Sequence, residues 1–469
     1  MTLSDALYAV QVAFLLYFIA INCSYMALNL VALATTLRYL RLQAMDRLPL
    51  LYSGLEPPVS LLVPAYNEAV TIAGSIKSML QIEYPEYEIL VVNDGSKDQT
   101  LQVMIDEFQM QPFALAYRQQ LACKPVRGVY RSLKFPNLRM IDKENGGKAD
   151  ALNVGINAAR YPLFCAVDAD SILQRDSLWR VINPFLDDPD IIASGGTVRI
   201  ANGCRVEAGF LTKVGLPGKI LPMFQIVEYL RAFLFGRLGW TAINAVLVIS
   251  GAFGVFRRDR VIEAGGYRSD SMGEDMELVV RLHRLNRMAQ RRYRISFVPD
   301  PICWTEAPET LKVLKSQRVR WQRGLSESIS MNRGLLFHPR GGAVGWLAIP
   351  FMLLFEWISP VVETIGYLFM LFGFAFGVVQ WEVLALFFLV AIGFGMLLSL
   401  SALLLEELSF HTYPRPRQLF ALLGMAVLEN FGYRQLMTFY RLIGLWRWVT
   451  SAKPTWGTMT RTASWHSNP

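Results

Sequence analysis

The sequence is poor in charge. Of its 469 residues only 18% are Asp, Glu, Lys or Arg, against 53% hydrophobic residues, and the mean hydropathy is +0.30. A soluble enzyme of this length carries more charge, so part of the chain is expected away from water. Histidine is scarce, at four residues, and none groups with a cysteine, which argues against a zinc site. The five cysteines, Cys23, Cys123, Cys165, Cys204 and Cys303, are odd in number, far apart and without a CxxC pair. That excludes a disulfide framework and fits a reduced, cytosolic catalytic part. Internal repeats and low-complexity segments are also missing.

What is present is a set of apolar runs around a mixed segment. The net charge is +8. A basic surface suits nucleic acid, anionic lipid or phosphorylated substrates. Here the basic residues gather beside apolar runs and no nucleic-acid-binding motif occurs. Membrane lipid is therefore an expected partner and nucleic acid is not. No charged residue stands between Asp5 and Arg38, and the run 6–37 exceeds the roughly 20 apolar residues that span a bilayer. It is too long for a signal peptide and lacks a basic leader. A transmembrane helix is predicted within residues 1–40. Arg38, Arg41 and Arg47 follow it and place the next segment on the cytoplasmic side.

Residues 41–340 read as a cytoplasmic α/β domain. Residues 59–63, 89–92 and 163–167 are predicted as buried parallel strands, and 68–80 and 147–159 as helices. In residues 341–447 the chain turns apolar again. The run 383–405 is uncharged and predicts a second span. Residues 346–381 carry Glu356, Glu363, Pro350 and Pro360, and predict a span joined to a broken or interfacial piece. Residues 418–427 are short and lead into Glu429, Arg434, Arg441 and Arg447, which fits a polar-lined span or a surface helix. Residues 448–469 form a C-terminal tail.

Polar clusters fall where parallel strands deliver loops. Asp168-Ala169-Asp170 follows the third predicted strand. Two carboxylates at i and i+2 can turn into one site, and their hard oxygens suit magnesium or manganese, which also take phosphate oxygens. Pro64-Ala65-Tyr66-Asn67-Glu68 ends the first strand and Asn93-Asp94-Gly95-Ser96 the second. Both are ordinary turn chemistry. Both also suit a nucleotide pocket, with Asp94 accepting from a base edge and Tyr66 against the ring. Gly146-Gly147-Lys148 opens a helix, where free N–H groups and the dipole favour phosphate; the Walker spacing is absent. Gly273-Glu274-Asp275 precedes a helical pattern and offers a carboxylate for general-base work on a hydroxyl. Gln317-Arg318-Val319-Arg320-Trp321 reads as a basic amphipathic helix on which Arg320 can neutralise a diphosphate and Trp321 can stack on a sugar. Each cluster alone also fits a cap, a turn or a solvated face. Taken together and in order, on one α/β domain between apolar runs, they point to a single site.

That ordered set resembles the family-2 glycosyltransferases of the GT-A fold. More narrowly it resembles the membrane-bound synthases of cellulose, hyaluronan, chitin oligosaccharide and poly-N-acetylglucosamine. The resemblance runs from Pro58 to about Gly324, and Gln317-x-x-Arg320-Trp321 is its most specific part. It implies a GT-A (Rossmann-like) cytoplasmic domain with flanking transmembrane helices, multi-pass in the inner membrane. It implies inverting, metal-dependent transfer, with Mg or Mn, from a UDP-sugar to a growing glycan, processive and with export of a β-linked polymer. Tyr66, Glu68 and Asp94 would hold the uridine, and Lys148 would approach the nucleotide or its phosphates. Asp168 would lie against the diphosphate and Asp170 would bind the metal. Asp275 would be the base, with Glu274 beside it. Gln317, Arg320 and Trp321 would cover the diphosphate and mark the acceptor terminus, near Ser250 and Gly251. An accessory subunit is compatible with this pattern. A transferase adding one sugar to a lipid acceptor, and a non-enzymatic membrane-anchored nucleotide-sugar-binding protein, are the alternatives left open.

Two departures stand out. Gly273 occupies the place where the base motif often has Thr. The gating motif Phe-x-Val-Thr-x-Lys of cellulose synthases has only an imperfect counterpart in Trp446-Arg447-Trp448-Val449-Thr450-Ser451-Ala452-Lys453.

Overall fold

The structure, a computed structural model, describes residues 3–45, 54, 56–207 and 210–451. Arg47, Ala452 and Lys453 lie outside the described residues.

A ten-stranded mixed sheet forms the centre. Its order is Met110–Pro112, Val126–Ser132, Leu138–Lys143, Tyr87–Asn93, Val59–Ala65, Leu163–Val167, Phe253–Arg257, Ile191–Ile200, Arg294–Thr305, Ile172–Leu173. The three strands expected from the sequence lie side by side. Val59–Ala65 pairs in parallel with Tyr87–Asn93 on one flank and Leu163–Val167 on the other. All three are almost wholly buried and rich in Val, Leu, Ile, Phe and Ala, as strands covered on both faces require. The register sets Ala65 opposite Asn93. Tyr66, Asp94 and Asp168 therefore leave the sheet along one edge. Phe253–Arg257 runs antiparallel to both its neighbours. It starts opposite Val167, which returns Ser250 and Gly251 to that same edge.

One expected helix is shorter than predicted. The pattern 68–80 yields a helix only over Ile72–Met79. Asn67 takes the left-handed region (φ 57°), which Asn tolerates. It donates its N–H to Ser96 Oγ (3.0 Å) and accepts from the Lys97 N–H (2.8 Å). The N–H groups of Glu68 and Ala69 go to Thr100 Oγ1 (2.8 Å) and Asp98 Oδ2 (3.1 Å). These contacts hold the first turn of the pattern as a loop zipped to the loop after Asp94. The helix Lys148–Ala158 forms one residue inside each expected end. Gly155 lets it approach the strand below, since a Cβ there would stand 3.1 Å from the Leu62 side chain.

The apolar runs form helices. Among the described residues two are long and apolar enough to cross a membrane, Asp5–Arg41 and Trp381–Ser409, the second containing the uncharged run 383–405. Val344–Trp357 and Ser359–Ala375 form a third such unit only as a pair bent by 43°. The break falls just before Pro360, whose ring and missing N–H interrupt a helix. Pro416–Leu428 is apolar but short, and Tyr433–Val449 follows it. The segment weighed for gating begins inside that last helix, where Trp448 packs edge-on against Trp357. A buried ion pair between Arg199 of the sheet and Glu406 of the apolar helix ties the two parts together.

Candidate active site

The sequence clusters meet at the sheet edge, in two adjoining groups. In the first, Asp94 is 3% exposed and accepts four donors. Lys143 Nζ and the Gly146 N–H approach Oδ1 at 2.5 and 2.9 Å, and the Gly147 N–H and Asn145 Nδ2 approach Oδ2 at 2.7 and 3.2 Å. A carboxylate has about four acceptor sites, so this one is filled by the protein. The expectation that the Gly146-Gly147 turn offers free N–H groups to phosphate is corrected here, because both donate to Asp94. Gly147 makes the turn at φ 88°, a backbone shape that suits glycine. Tyr66 stands beside this group and is 43% exposed, while the buried Glu68 accepts from Thr71 Oγ1 at 2.8 Å. Lys143 was not singled out from the sequence. It is fully buried and also pairs with Asp150 at 2.6 Å. Lysine at a strand end carries no periodic signal; its place beside the Gly-Gly-Lys turn was the only clue.

The second group is organised by Lys148. Its Nζ lies 2.5 Å from Asp168 Oδ1, 3.2 Å from the Gly251 carbonyl and 3.9 Å from Glu274 Oε1. The Gly251 N–H in turn donates to Asp275 Oδ2 at 3.0 Å, and the Met276 N–H to Oδ1 at 2.8 Å. Gly251 lets both side chains approach: a Cβ there would sit 2.9 Å from Lys148 Nζ and 3.4 Å from Asp275 Oδ2. Clusters about a hundred residues apart in the chain thus share one ammonium. Burial alone lowers the Lys148 pKa, but the facing carboxylates of Asp168, Glu274 and Asp275 hold it above its ordinary value. Burial raises the pKa of Glu274, against the pull of Lys148. Asp170 is buried and Asp168 keeps 31% of its side chain exposed.

The helix Leu311–Met331 brings the last cluster. Gln317 is buried, Trp321 is 42% exposed, and Arg320 is close enough to Glu274 to favour its charged form. Gly273 explains itself here. A Cβ on it would fall 2.9 Å from the Gly324 Cα, and one on Gly324 would fall 2.7 Å from the Gly273 Cα. The helix that starts at Glu274 and the helix that carries Trp321 touch backbone to backbone, which a threonine at 273 would prevent. Glu327 secures the contact by accepting from the Met272 N–H (2.7 Å) and Arg323 Nε (2.7 Å). Arg237 is a further residue that sequence reading missed. Its guanidinium stacks on Phe233 at 3.7 Å, and burial lowers its pKa to about 10 against the pull of Asp275.

Among the described residues no three His, Cys, Asp or Glu side chains gather closely enough to hold a metal by themselves. The Asp168–Asp170 pair still fits magnesium or manganese. Such ions bind through one or two carboxylates and complete their shell with phosphate oxygens and water.

The Glycosyl transferase family 2 model matches residues 60–258, and the Glycosyl transferase family group 2 model matches residues 163–450, more than half of the chain. The chain belongs to Glycosyl transferase family group 2. The poly-beta-1,6-N-acetyl-D-glucosamine synthase of Staphylococcus aureus (strain COL) is 32% identical over 267 residues, 57% of this chain and 54% of that protein. The synthase of the same name from Staphylococcus epidermidis is 30% identical over the same shares. The chain thus spans about half the length of the curated relatives it matches. Among solved structures, the mannosyltransferase PcManGT from Pyrobaculum calidifontis, in complex with GDP-Man and Mn2+, aligns with a TM-score of 0.52 and 18% identity. That alignment covers 88% of this chain and 99% of the other, and shows a shared fold.

Proposed function

We propose that the chain is a membrane-embedded, inverting polysaccharide synthase that draws a UDP-sugar from the cytoplasm and extends a β-linked glycan. The observation that carries the reading is the Lys148 junction, which joins Asp168, Gly251 and Glu274 and sets Asp275 one hydrogen bond away. The relatives named as poly-beta-1,6-N-acetyl-D-glucosamine synthases make UDP-N-acetylglucosamine the first donor to try. The two long apolar helices and the bent pair support a multi-pass membrane part, with the sheet on the cytoplasmic side.

Tyr66 and Glu68 would receive the uridine; Asp94, expected to accept from the base edge, has its acceptor sites filled by the protein and instead holds the turn beside them. Asp168 and Asp170 would hold the divalent cation, which when bound offsets charge on the departing diphosphate. Lys148, Gln317 and Arg320 add donors and positive charge on the same side, aimed where that charge develops. Ser250, Gly251 and Trp321 receive the acceptor end, with the indole against a sugar face. Asp275 takes the proton from the acceptor hydroxyl. That oxygen bonds to the anomeric carbon as the carbon–phosphate oxygen bond breaks on the opposite face, so an α-linked donor yields a β-linkage. Glu274 steadies Lys148 beside the base.

The experiment supplies membranes containing the protein with radiolabelled UDP-sugars and Mg2+ or Mn2+. Incorporation of N-acetylglucosamine into a size ladder is expected. A single product band would instead mean one addition per acceptor. Absence of transfer from every UDP-sugar, in a preparation that binds UDP, would support a binding protein. Full activity in EDTA would remove the cation.

A further inference from the structure

The pentapeptide Gln317–Trp321 contains two arginines, and only Arg320 is needed by the mechanism above. Arg318 faces away from Glu274 into a contact of its own. It is buried, with 6% of its side chain exposed, and forks onto Glu228: Nη1 to Oε1 at 2.5 Å and Nη2 to Oε2 at 3.0 Å. Its guanidinium also lies over the Trp321 ring, 4.4 Å from the centroid. Residues three apart share a helix face, so the arginine reaches the carboxylate and the indole together. The same Glu228 Oε2 accepts from Tyr433 Oη at 2.8 Å, and the Tyr433 ring packs on Phe224 at 4.9 Å between centroids. One carboxylate therefore joins three helices: Ile220–Leu230, Leu311–Met331 and Tyr433–Val449.

We infer that Glu228 is a positioning residue for the acceptor: through Arg318 it fixes the plane of Trp321, and through Tyr433 it ties that plane to the C-terminal helix. The inference rests on the reading of Trp321 as an acceptor platform. An exposed tryptophan on a helix has several rotamers open to it, and a sugar ring that stacks on it needs one. A planar guanidinium held by a bidentate partner covers one face of the indole and presents the other. Lysine cannot do both jobs, since it has neither the fork nor the flat face. Burial opposes the Arg318 charge, but the facing Glu228 carboxylate favours it, so the clamp stays ionic. The contact also makes acceptor binding sensitive to the seating of the C-terminal helix, a link that the motif pattern alone does not contain.

The test measures initial rates with labelled UDP-N-acetylglucosamine while titrating a defined β-linked N-acetylglucosamine oligosaccharide, on the full chain in membranes. Glu228→Gln removes the charge and keeps the shape. It is expected to raise the oligosaccharide KM about tenfold, the order of a lost charged hydrogen bond, and to leave the donor KM within about twofold. Tyr433→Phe, which removes one hydroxyl and keeps the packing, is expected to shift the same constant about threefold. It carries the test if Glu228→Gln fails to fold. The decisive comparison is made in a Trp321→Ala background, where adding Glu228→Gln should change the oligosaccharide KM by less than about twofold, because the route through the indole is gone. Multiplicative effects in the double variant, or donor and oligosaccharide KM rising together, would overturn the inference and leave Trp321 in place. An unchanged oligosaccharide KM in Trp321→Ala alone would instead remove the platform, and the inference with it.

Discussion

The two groups at the sheet edge use the same residue types in opposite ways. Around Asp94 the carboxylate is filled by four protein donors and its lysine partner is fully buried. Around Asp275 each oxygen takes one backbone N–H, Lys148 keeps 20% of its side chain exposed, and its charge is divided among neighbours. A saturated buried carboxylate builds a frame, because any change leaves charge without a partner. A half-satisfied carboxylate beside a shared cation has acceptor capacity left for a hydroxyl proton. Gly147, which donates to Asp94, directly precedes Lys148 in the chain, so the rigid group holds the lysine of the other in register.

The difference can be broken or sharpened by variants. The largest effect is expected for Lys143→Met, which strands Asp94 and Asp150 and should cost about 3–5 kcal/mol of stability, read as a lowered melting temperature. Melting like the parent would refute the frame. Next is a pH effect on the helix Glu274–Met288, which carries Glu274 and Asp275 and is anchored by His283. That imidazole is buried between the Tyr293 hydroxyl (2.7 Å) and the Val246 carbonyl (2.8 Å), and burial pushes its pKa down to about 4. The unfolded chain takes up this proton below about 6.5 and the folded chain only near 4. Stability from this residue is therefore complete above about pH 6.5 and falls by up to about 3 kcal/mol as the pH drops to 4. Melting curves from pH 7.5 to 4 measure it, and a melting temperature flat over that interval would count against the anchor.

Lys148→Met should keep the fold within about 1 kcal/mol while turnover falls on the order of a hundredfold, the contrast with Lys143→Met being the point. Equal damage to fold from both lysines would erase the distinction. The smallest effect is expected at the helix contact. Gly324→Ala pushes a methyl into Gly273 and should cost about 1–3 kcal/mol. Its footprint should be a raised KM with an unchanged metal requirement; unaltered kinetics would show that the contact does not position Trp321.

Much of this arrangement was legible in the sequence, and the reasons are physical. Residues 59–63, 89–92 and 163–167 are short, mainly apolar runs ending in polar clusters, a pattern that survives without knowing the neighbours. Glu68, Asp94 and the Asp168–Asp170 pair were visible because they fall at those ends, and Glu274-Asp275 because it opens a helical pattern. The shortened helix at Ile72 was not, because its first turn is claimed by Ser96, Asp98 and Thr100, whose placement depends on the next strand. Lys143, Arg237 and the Gly273–Gly324 contact were hidden for the same reason. Each acts through a partner distant in the chain, and no periodicity announces such a pair. Gly273 looked like a departure from a motif and is a packing requirement.

The central claim is that Asp275 moves the proton while other residues hold the donor. It is tested most directly by measuring, on one preparation of Asp275→Asn in membranes, both UDP-N-acetylglucosamine binding with Mn2+ and transfer to product. Binding within about twofold of the parent, with turnover reduced about a hundred- to ten-thousand-fold, is the predicted result. Transfer at the parental rate would contradict it.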